Sequence, residues 1–453
     1  MTAVTITTAR AELRAIAKMA RPIALAQVGL VTMGLVDTAI LGRVSSIELA
    51  GASVGRNIGF TASTLSIGIA MALEPLAAQA VGAREPDRAW GALIATMRTL
   101  VAVWLPSTVA AFAATLFLGK LGIDAEVVRA ARQFLLAQAP GQLFFSLFLA
   151  QKTFLQAHGS TRPALVASGA ANVLNFVLCN LLVRGDAALR SVGLPPVGLA
   201  ELGSFGAGLA TSVAALVLTL VLHAAARTFK PADAVARVPA RAVLDLGLPA
   251  GLHMLAEVGG FALVSVLAAK LGKTAVAANQ VALGLASFTF MAALGVSGAT
   301  AVRVGHCVGA GLSPRRSGLV GIGLGASVMM LGSLSFALFP RPLVALFTSD
   351  PAVIDLGVQL LRVAAIFQLF DGVQAVGAGA LRGAGDVRFV LYVGVGAYWV
   401  VGVPMAVIFG FVMGRGAVGM WWALSIALMT AATAFLARFI ALTRRPIARA
   451  AAP

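Results

Sequence analysis

An all-α membrane protein, with twelve transmembrane helices in two six-helix lobes related by a parallel internal repeat, is the fold this sequence predicts. Three observations carry that prediction. The 453 residues are 59% hydrophobic and 11% charged, with a mean hydropathy of +0.94, whereas a soluble surface needs about 25% charged residues. Apolar runs long enough to cross a bilayer, at about 1.5 Å of rise per residue, recur along the whole chain. The chain also matches itself without gaps when shifted by 226 or 227 residues. Pro22 falls on Pro249, Gly68 on Gly295 and Val81-Gly82 on Val308-Gly309. Asp124 then falls on Asp350, Gln133 on Gln359, Gln142 on Gln368, Leu155 on Leu381, Gly159 on Gly385 and Arg162 on Arg388. Apolar sequences match Leu with Ala by accident, but they do not hold Asp, Gln, Pro and Arg in one register.

In chain order, residues 1–20 carry Arg10, Glu12, Arg14 and Lys18 and read as a cytoplasmic amphipathic segment rather than a cleaved signal peptide. The apolar runs fall near 20–41, 47–79, 89–118, 128–157, 163–183 and 203–226 in the first lobe, taken as 20–230. They fall near 241–270, 274–307, 317–346, 354–382, 388–413 and 416–441 in the second lobe, taken as 231–445, before a cytoplasmic tail at 446–453. Ala and Leu dominate and period-two alternation is absent, so these are helices rather than barrel strands. The seam lies around Arg227–Arg241, a polar stretch with Pro231, Asp233 and Pro239. An even number of spans per half makes the two halves run the same way through the membrane, with a central cavity expected between them. Pro22, Pro106, Pro140, Pro249 and Pro404 sit in or at the edges of spans, where proline bends or starts a helix. The 49 glycines read chiefly as close helix packing.

The net charge of +17 does not point to nucleic acid. About 22 of the 34 Lys and Arg fall on the side of the termini, which places both termini in the cytoplasm of a bacterial inner membrane. The basic residues then serve as topology signals and partners of lipid headgroups. Cys179 and Cys307 are not expected to form a disulfide.

Enzyme motifs are missing. There is no Walker A sequence, no GxSxG elbow, no pair of aspartate-rich clusters, and the four His and two Cys lack metal-ligand spacing. The reading is therefore not an enzyme, with no cofactor. The chemistry is instead in charges held inside apolar helices, where an acid costs roughly 2.5–3.5 kcal/mol at mid-bilayer. Asp37, Glu74, Glu257 and Asp371 lie within spans. Glu257 and Asp371 fall near the middles of theirs and are placed to face one cavity in the C-terminal lobe. Asp37 falls in the outer third of its span, and Glu74, followed by Pro75, near a cytoplasmic end, where a structural role is favoured. Two carboxylates at one depth can share a proton, bind Na⁺ or attract an organic cation. Asn172, Asn175, Asn180 and Thr211 offer hard oxygens near Asp37, against the plainer reading of interhelical hydrogen bonds. Asn279, Gln280, Gln368 and Gln374 stand between the same two readings in the second lobe. Arg56 is costly in a span unless it faces water, the outer interface or snorkels.

Five stretches resemble the multidrug and toxic compound extrusion (MATE) family, in its NorM-like branch. They are GLVDTAILGR around Asp37, MALEPLAAQAVGARE, AEVGGFALVSVLAAKLGKTAVAANQVALGLASFTFM, GATAVRVGHCVGAG and FQLFDGVQAVGAGALRGAGD. The resemblance covers essentially the whole chain. It implies two six-helix lobes forming a V that opens alternately to each side, and export of organic cations, dyes and drugs in exchange for Na⁺ or H⁺. It makes Glu257 and Asp371 the C-lobe cation and substrate acids, and Asp37 the N-lobe acid with Asn175 and Thr211 as ligands. A coupling Na⁺ would sit at Asp37 or at Glu257 and Asp371. Phe367 stands where some sodium-coupled relatives have Tyr, and Ala171 where relatives often have Asn, with Asn172 beside it; both departures weaken the case for Na⁺ over H⁺. Phe288 and Phe367, with Phe261, Phe290 and Met291, are placed as an adaptable cavity wall. The expected partners are small organic cations, the coupling ion and membrane lipid, with the chain acting as a monomer. A lipid-linked sugar flippase of the same superfamily is the alternative, and it would need a basic cavity where the deepest charges here are acidic.

Overall fold

The computed structural model describes residues 8–191, 193–232 and 235–450. The first seven residues of the predicted amphipathic segment, Asp233 in the seam and the last three of the tail lie outside the described residues. Among the described residues there are twelve helices long and apolar enough to cross a membrane. They are α1 (Ala9–Gly42), α2 (Ser46–Gly82), α3 (Pro86–Thr115), α4 (Ala125–Ala157), α5 (Arg162–Arg184), α6 (Gly203–Arg227), α7 (Ala240–Ala269), α8 (Lys273–Gly309), α9 (Arg315–Leu338), α10 (Pro351–Ala384), α11 (Val387–Val412) and α12 (Gly416–Leu442).

The residues that reveal the repeat in sequence do so because they end helices. Asp124 caps α4 by accepting from Glu126 N at 2.8 Å, and its mate Asp350 caps α10 by accepting from Ala352 N at 2.9 Å. Gly159 (φ +74°) and Gly385 (φ +91°) close the far ends of those helices in the left-handed region. Helix ends need special side chains or special backbone, so they resist drift while apolar faces wander.

Two boundaries differ from the sequence reading. The ninth span stops at Leu338 and not near 346, because Pro340 and Pro342 restart the chain as a separate short helix, Pro340–Ala345. Residues 9–20 form no separate surface helix. They are the first turns of α1, which runs unbroken through Pro22. Ile16, Ala20 and Ile23 are buried with Val296, Ala299 and Leu381, and Glu12 is clamped by Arg303 at 2.5 and 3.1 Å. The clamp neutralises an acid that would otherwise forbid burial of this end.

Packing divides the chain into two units. One comprises the described parts of Met1–Leu25, Glu74–Glu85 and Leu252–Pro453; the other comprises Ala26–Leu73 and Pro86–Gly251. These differ from the sequence halves 20–230 and 231–445 because the first turns of α1 and the last turns of α2 group with most of the second half, and the first turns of α7 with most of the first. Within the first unit, Gly295 of α8 leaves room for Ala20 and Ala24 of α1; within the second, its repeat mate Gly68 of α2 presses on Gly247 and Gly251 of α7. The two crossings are the same contact made once in each unit, since Ala20 and Ala24 are the repeat mates of Gly247 and Gly251. Small residues on both sides let the backbones approach, as close packing in lipid requires.

Candidate functional site

In the first unit the two mid-span acids sit on α7 and α10. Glu257 Oε1 accepts a hydrogen bond from Tyr398 Oη at 3.0 Å, and the neighbouring Trp399 donates from Nε1 to Ala256 O at 2.9 Å. Consecutive side chains reach the same helix because α11 widens into π-helical turns over Gly396–Gly402, a rare local form that recurs at functional sites. Asp371 is buried, and among the described residues its carboxylate makes no hydrogen bond or ion pair. Among the same residues neither acid pairs with an arginine. Arg382, eleven residues along α10 from Asp371, donates instead from Nε to Glu74 Oε2 at 2.8 Å, with Nη2 at 3.4 Å from Ser297 Oγ. Glu74 is thus one half of a buried ion pair, which is the structural role its sequence position favoured.

The other candidates of this unit separate by contact. Gln374, one turn beyond Asp371, is buried with Oε1 unpartnered; Gln368 donates to Thr289 Oγ1 and likewise leaves Oε1 unpartnered. Asn279 takes the plainer of its two readings, since Trp421 Nε1 donates to it at 3.0 Å and it donates to Ser265 Oγ at 3.3 Å. Gln280 is exposed. Phe367 is buried inside the helix packing, with ring centroids 6.0 Å from Phe261 and 5.5 Å from Trp421, rather than forming a wall. Phe288 is 65% exposed and belongs to no such cluster. Two residues were missed in the sequence. Tyr398 brings a phenol to Glu257 from a different helix; its signal was that it is one of only two tyrosines in the chain. His253 lies one turn before Glu257 on the same face of α7, buried, with Nε2 unpartnered.

The second unit holds the third acid. Asp37 is 2% exposed near the end of α1, and Thr211 Oγ1 donates to its Oδ2 at 2.9 Å. Asn175 and Cys179, one turn apart on α5, face the same carboxylate. Asp37 Oδ1 and both polar atoms of Asn175 are buried without hydrogen-bond partners. Arg56 of α2 reaches in beside them: Nη1 donates to Gly34 O at 2.7 Å and Thr38 Oγ1 at 3.0 Å, while Nη2 stands 3.8 Å from Asp37 Oδ2. Asn172 and Asn180 do not join this group. They donate to backbone carbonyls of Gly29 and Ser168, and of Phe176. The free oxygens of Asp37 and Asn175 with Thr211 Oγ1 form a hard donor set that suits a small cation.

Outside the spans, two titratable groups are perturbed. Burial between the rings of Phe154 and Phe229, each 4.4 Å from its own, holds His158 below the ordinary imidazole range, opposed by its contact with Phe154 O. Asp186 accepts from the amides of Val197, Gly198 and Leu199 at 3.0–3.1 Å, and these hold its carboxyl below the usual range. Both are loop fasteners.

Known proteins resemble this chain over nearly its whole length. The MatE family model matches residues 22–181 and again 249–408, the same register as the internal repeat. The chain is 35% identical over 439 residues to the probable multidrug resistance protein NorM of Pseudomonas putida, covering 93% of each. It is 34% identical over 446 residues to that of Deinococcus radiodurans, covering 96% of each. Its fold matches a crystal structure of a eukaryotic MATE transporter with a TM-score of 0.83 at 20% identity, covering 95% of this chain and 96% of that one. It also matches a MOP superfamily transporter from Pyrococcus furiosus with a TM-score of 0.82 at 19% identity, covering 96% and 97%. At that identity the structures speak for the fold, which is the twelve-helix, two-lobe repeat.

Proposed function

This chain belongs to the MatE family and is a multi-pass membrane transporter, not an enzyme; on that premise we propose that it is a secondary active antiporter that exports organic cations and other xenobiotics in exchange for H⁺ or Na⁺. It works by alternating access in a bacterial inner membrane, as a monomer with both termini cytoplasmic. Its relatives in Pseudomonas putida and Deinococcus radiodurans are described as probable multidrug resistance proteins. The observation that carries the reading is the pair Glu257, half-buried, and Asp371, buried, neither of which forms an ion pair with a basic side chain among the described residues.

An uncompensated acid in a span is expensive, and a mobile cation is what offsets that expense. When H⁺ or Na⁺ loads, the charge is neutralised and the relative stability of the two access states changes. An organic cation offsets the same charge, so substrate and coupling ion compete for overlapping carboxylates, and entry of one favours release of the other. Asp371, with no hydrogen bond of its own among the described residues, is the residue free to meet either. Glu257 is oriented by the Tyr398 hydroxyl. Gln374 adds an unpartnered amide oxygen beside them. Asp37, with Asn175 and Thr211, is the corresponding acid of the second unit.

Ethidium efflux from proteoliposomes under an imposed pH or Na⁺ gradient tests the reading, with wild type compared with Asp371→Asn and Glu257→Gln. Gradient-driven efflux lost in both variants is the expected result. Equal efflux from all three proteins removes the site assignment, and no efflux of any organic cation turns the reading toward lipid-linked sugar.

A further inference from the structure

Among the described residues Asp37 differs from Glu257 and Asp371 in having a positive charge of the chain's own within 4 Å. We infer that Arg56 is a tethered counter-cation: its guanidinium balances Asp37 and so limits which cations the second-unit site accepts. The inference rests on the reading of Asp37 as a cation site and names the residue that sets its selectivity.

Four features point the same way. The guanidinium is anchored independently of the acid, by Gly34 O and Thr38 Oγ1, which flank Asp37 on α1. Its carbon lies 5.7 Å from the centroid of the Phe134 ring, whose π face favours a cation there. Yet at 3.8 Å the guanidinium stops short of a hydrogen bond to Asp37, so the acid is balanced in charge but not closed off. Asp37 Oδ1 and both polar atoms of the Asn175 amide stay buried without hydrogen-bond partners. With Arg56 in place the site is electrically neutral, and a small metal ion entering it would leave a net positive charge in a buried place. With Arg56 removed, the same oxygens surround one unbalanced negative charge, and Na⁺ becomes a favourable guest. Arg56 is 28% exposed where Asp37 is 2% exposed, so the guanidinium is the less buried of the two charges.

Ligand-linked stabilisation reads this without transport. Thermal unfolding of the full chain in lipid nanodiscs is followed while NaCl replaces KCl at constant ionic strength. Wild type, Arg56→Gln, Arg56→Lys and the double variant Arg56→Gln with Asp37→Asn are compared. Any Na⁺ response from Glu257 and Asp371 is common to all four. Arg56→Gln is expected to gain a Na⁺-specific rise in midpoint at least about twice that of wild type. Arg56→Lys, which keeps the charge, is expected to match wild type, and the double variant to return to it. The inference is overturned if Arg56→Gln follows wild type, if its gain survives Asp37→Asn, or if Arg56→Lys gains equally. If Arg56→Gln does not fold, Arg56→Met takes its place in the same series, with the same Na⁺-specific gain expected and its absence overturning the inference. Failure of wild type to move ethidium would sink the antiporter reading and leave this assignment standing. Efflux by wild type with no gain in Arg56→Gln would do the reverse.

Discussion

The acid sites of the two units share a scaffold and differ in charge. In the first unit Glu257 and Asp371 have a phenol, an amide and no basic partner among the described residues; in the second Asp37 has a hydroxyl and a guanidinium. Duplication does not explain the difference. The repeat mate of Asp37 is Val264, that of Glu257 is Leu30, that of Asp371 is Phe145 and that of Arg56 is Leu283. Helix caps, closing glycines and crossing points were kept in both copies, while each site charge exists in one copy only. Packing in lipid constrains both copies alike, but a buried charge is tolerated only where a partner or a mobile ion offsets it.

The largest effect expected from that contrast separates paired from unpaired acids. Asp371→Asn should lower gradient-driven efflux by at least about 10-fold, a barrier change of about 1.4 kcal/mol, with no loss of thermal stability, since a lone buried charge has been removed. Arg382→Ala should do the opposite. It leaves Glu74 buried and unpaired, which costs about 3–5 kcal/mol in midpoint-derived stability, and replacing both partners by Gln and Met should recover much of it. If Asp371→Asn melts early while Arg382→Ala does not, the division of acids by pairing is wrong.

Tyr398→Phe sharpens the contrast at smaller amplitude. It removes one hydrogen bond to Glu257, worth about 1.5–3 kcal/mol at most for a charged acceptor. The concentration of coupling ion giving half-maximal efflux should shift several-fold, with the maximal rate largely kept. A maximal rate that collapses instead would mean that the phenol does more than orient Glu257.

The smallest effect lies in the loop that follows α4. His158 is held neutral by burial, so its folded pKa lies below its unfolded one. The unfolded chain therefore binds more protons below about pH 6.5, and the stability contribution is full above that value and lost as pH falls. His158→Phe should flatten the acid side of the melting curve between about pH 7 and 5. The first unit has Ala384 at the matching position and no such sensitivity there. Unchanged acid sensitivity in His158→Phe would place its origin elsewhere.

Much of the molecule was legible from local pattern. Span number, helical type and repeat register follow from runs, caps and glycines, because the bilayer enforces length and hydropathy on every segment separately. The buried acids were legible for the same reason, since a charge in a span stands out against its neighbours. Faces were not. Tyr398 meets Glu257 across 141 residues and Trp421 meets Asn279 across 142, and helices that are apolar on nearly every side carry no periodic signal of which side a partner will occupy. That is why Phe288 and Phe367 looked alike in sequence but differ in burial, and why Asn172 and Asn175 stood open to the same two readings while only Asn172 proves to hold backbone carbonyls.

By itself the chain determined twelve spans, two copies and the few acids that must be neutralised, because hydrophobic length and the cost of charge act residue by residue. Only the tertiary structure decided that the first turns of α1 and α7 and the last turns of α2 pack away from the rest of their sequence halves, that Arg382 belongs to Glu74, and that Asp37, alone of the three site acids, has a basic side chain within 4 Å among the described residues. Those outcomes depend on how small residues let particular helices cross, and a crossing belongs to two distant segments at once.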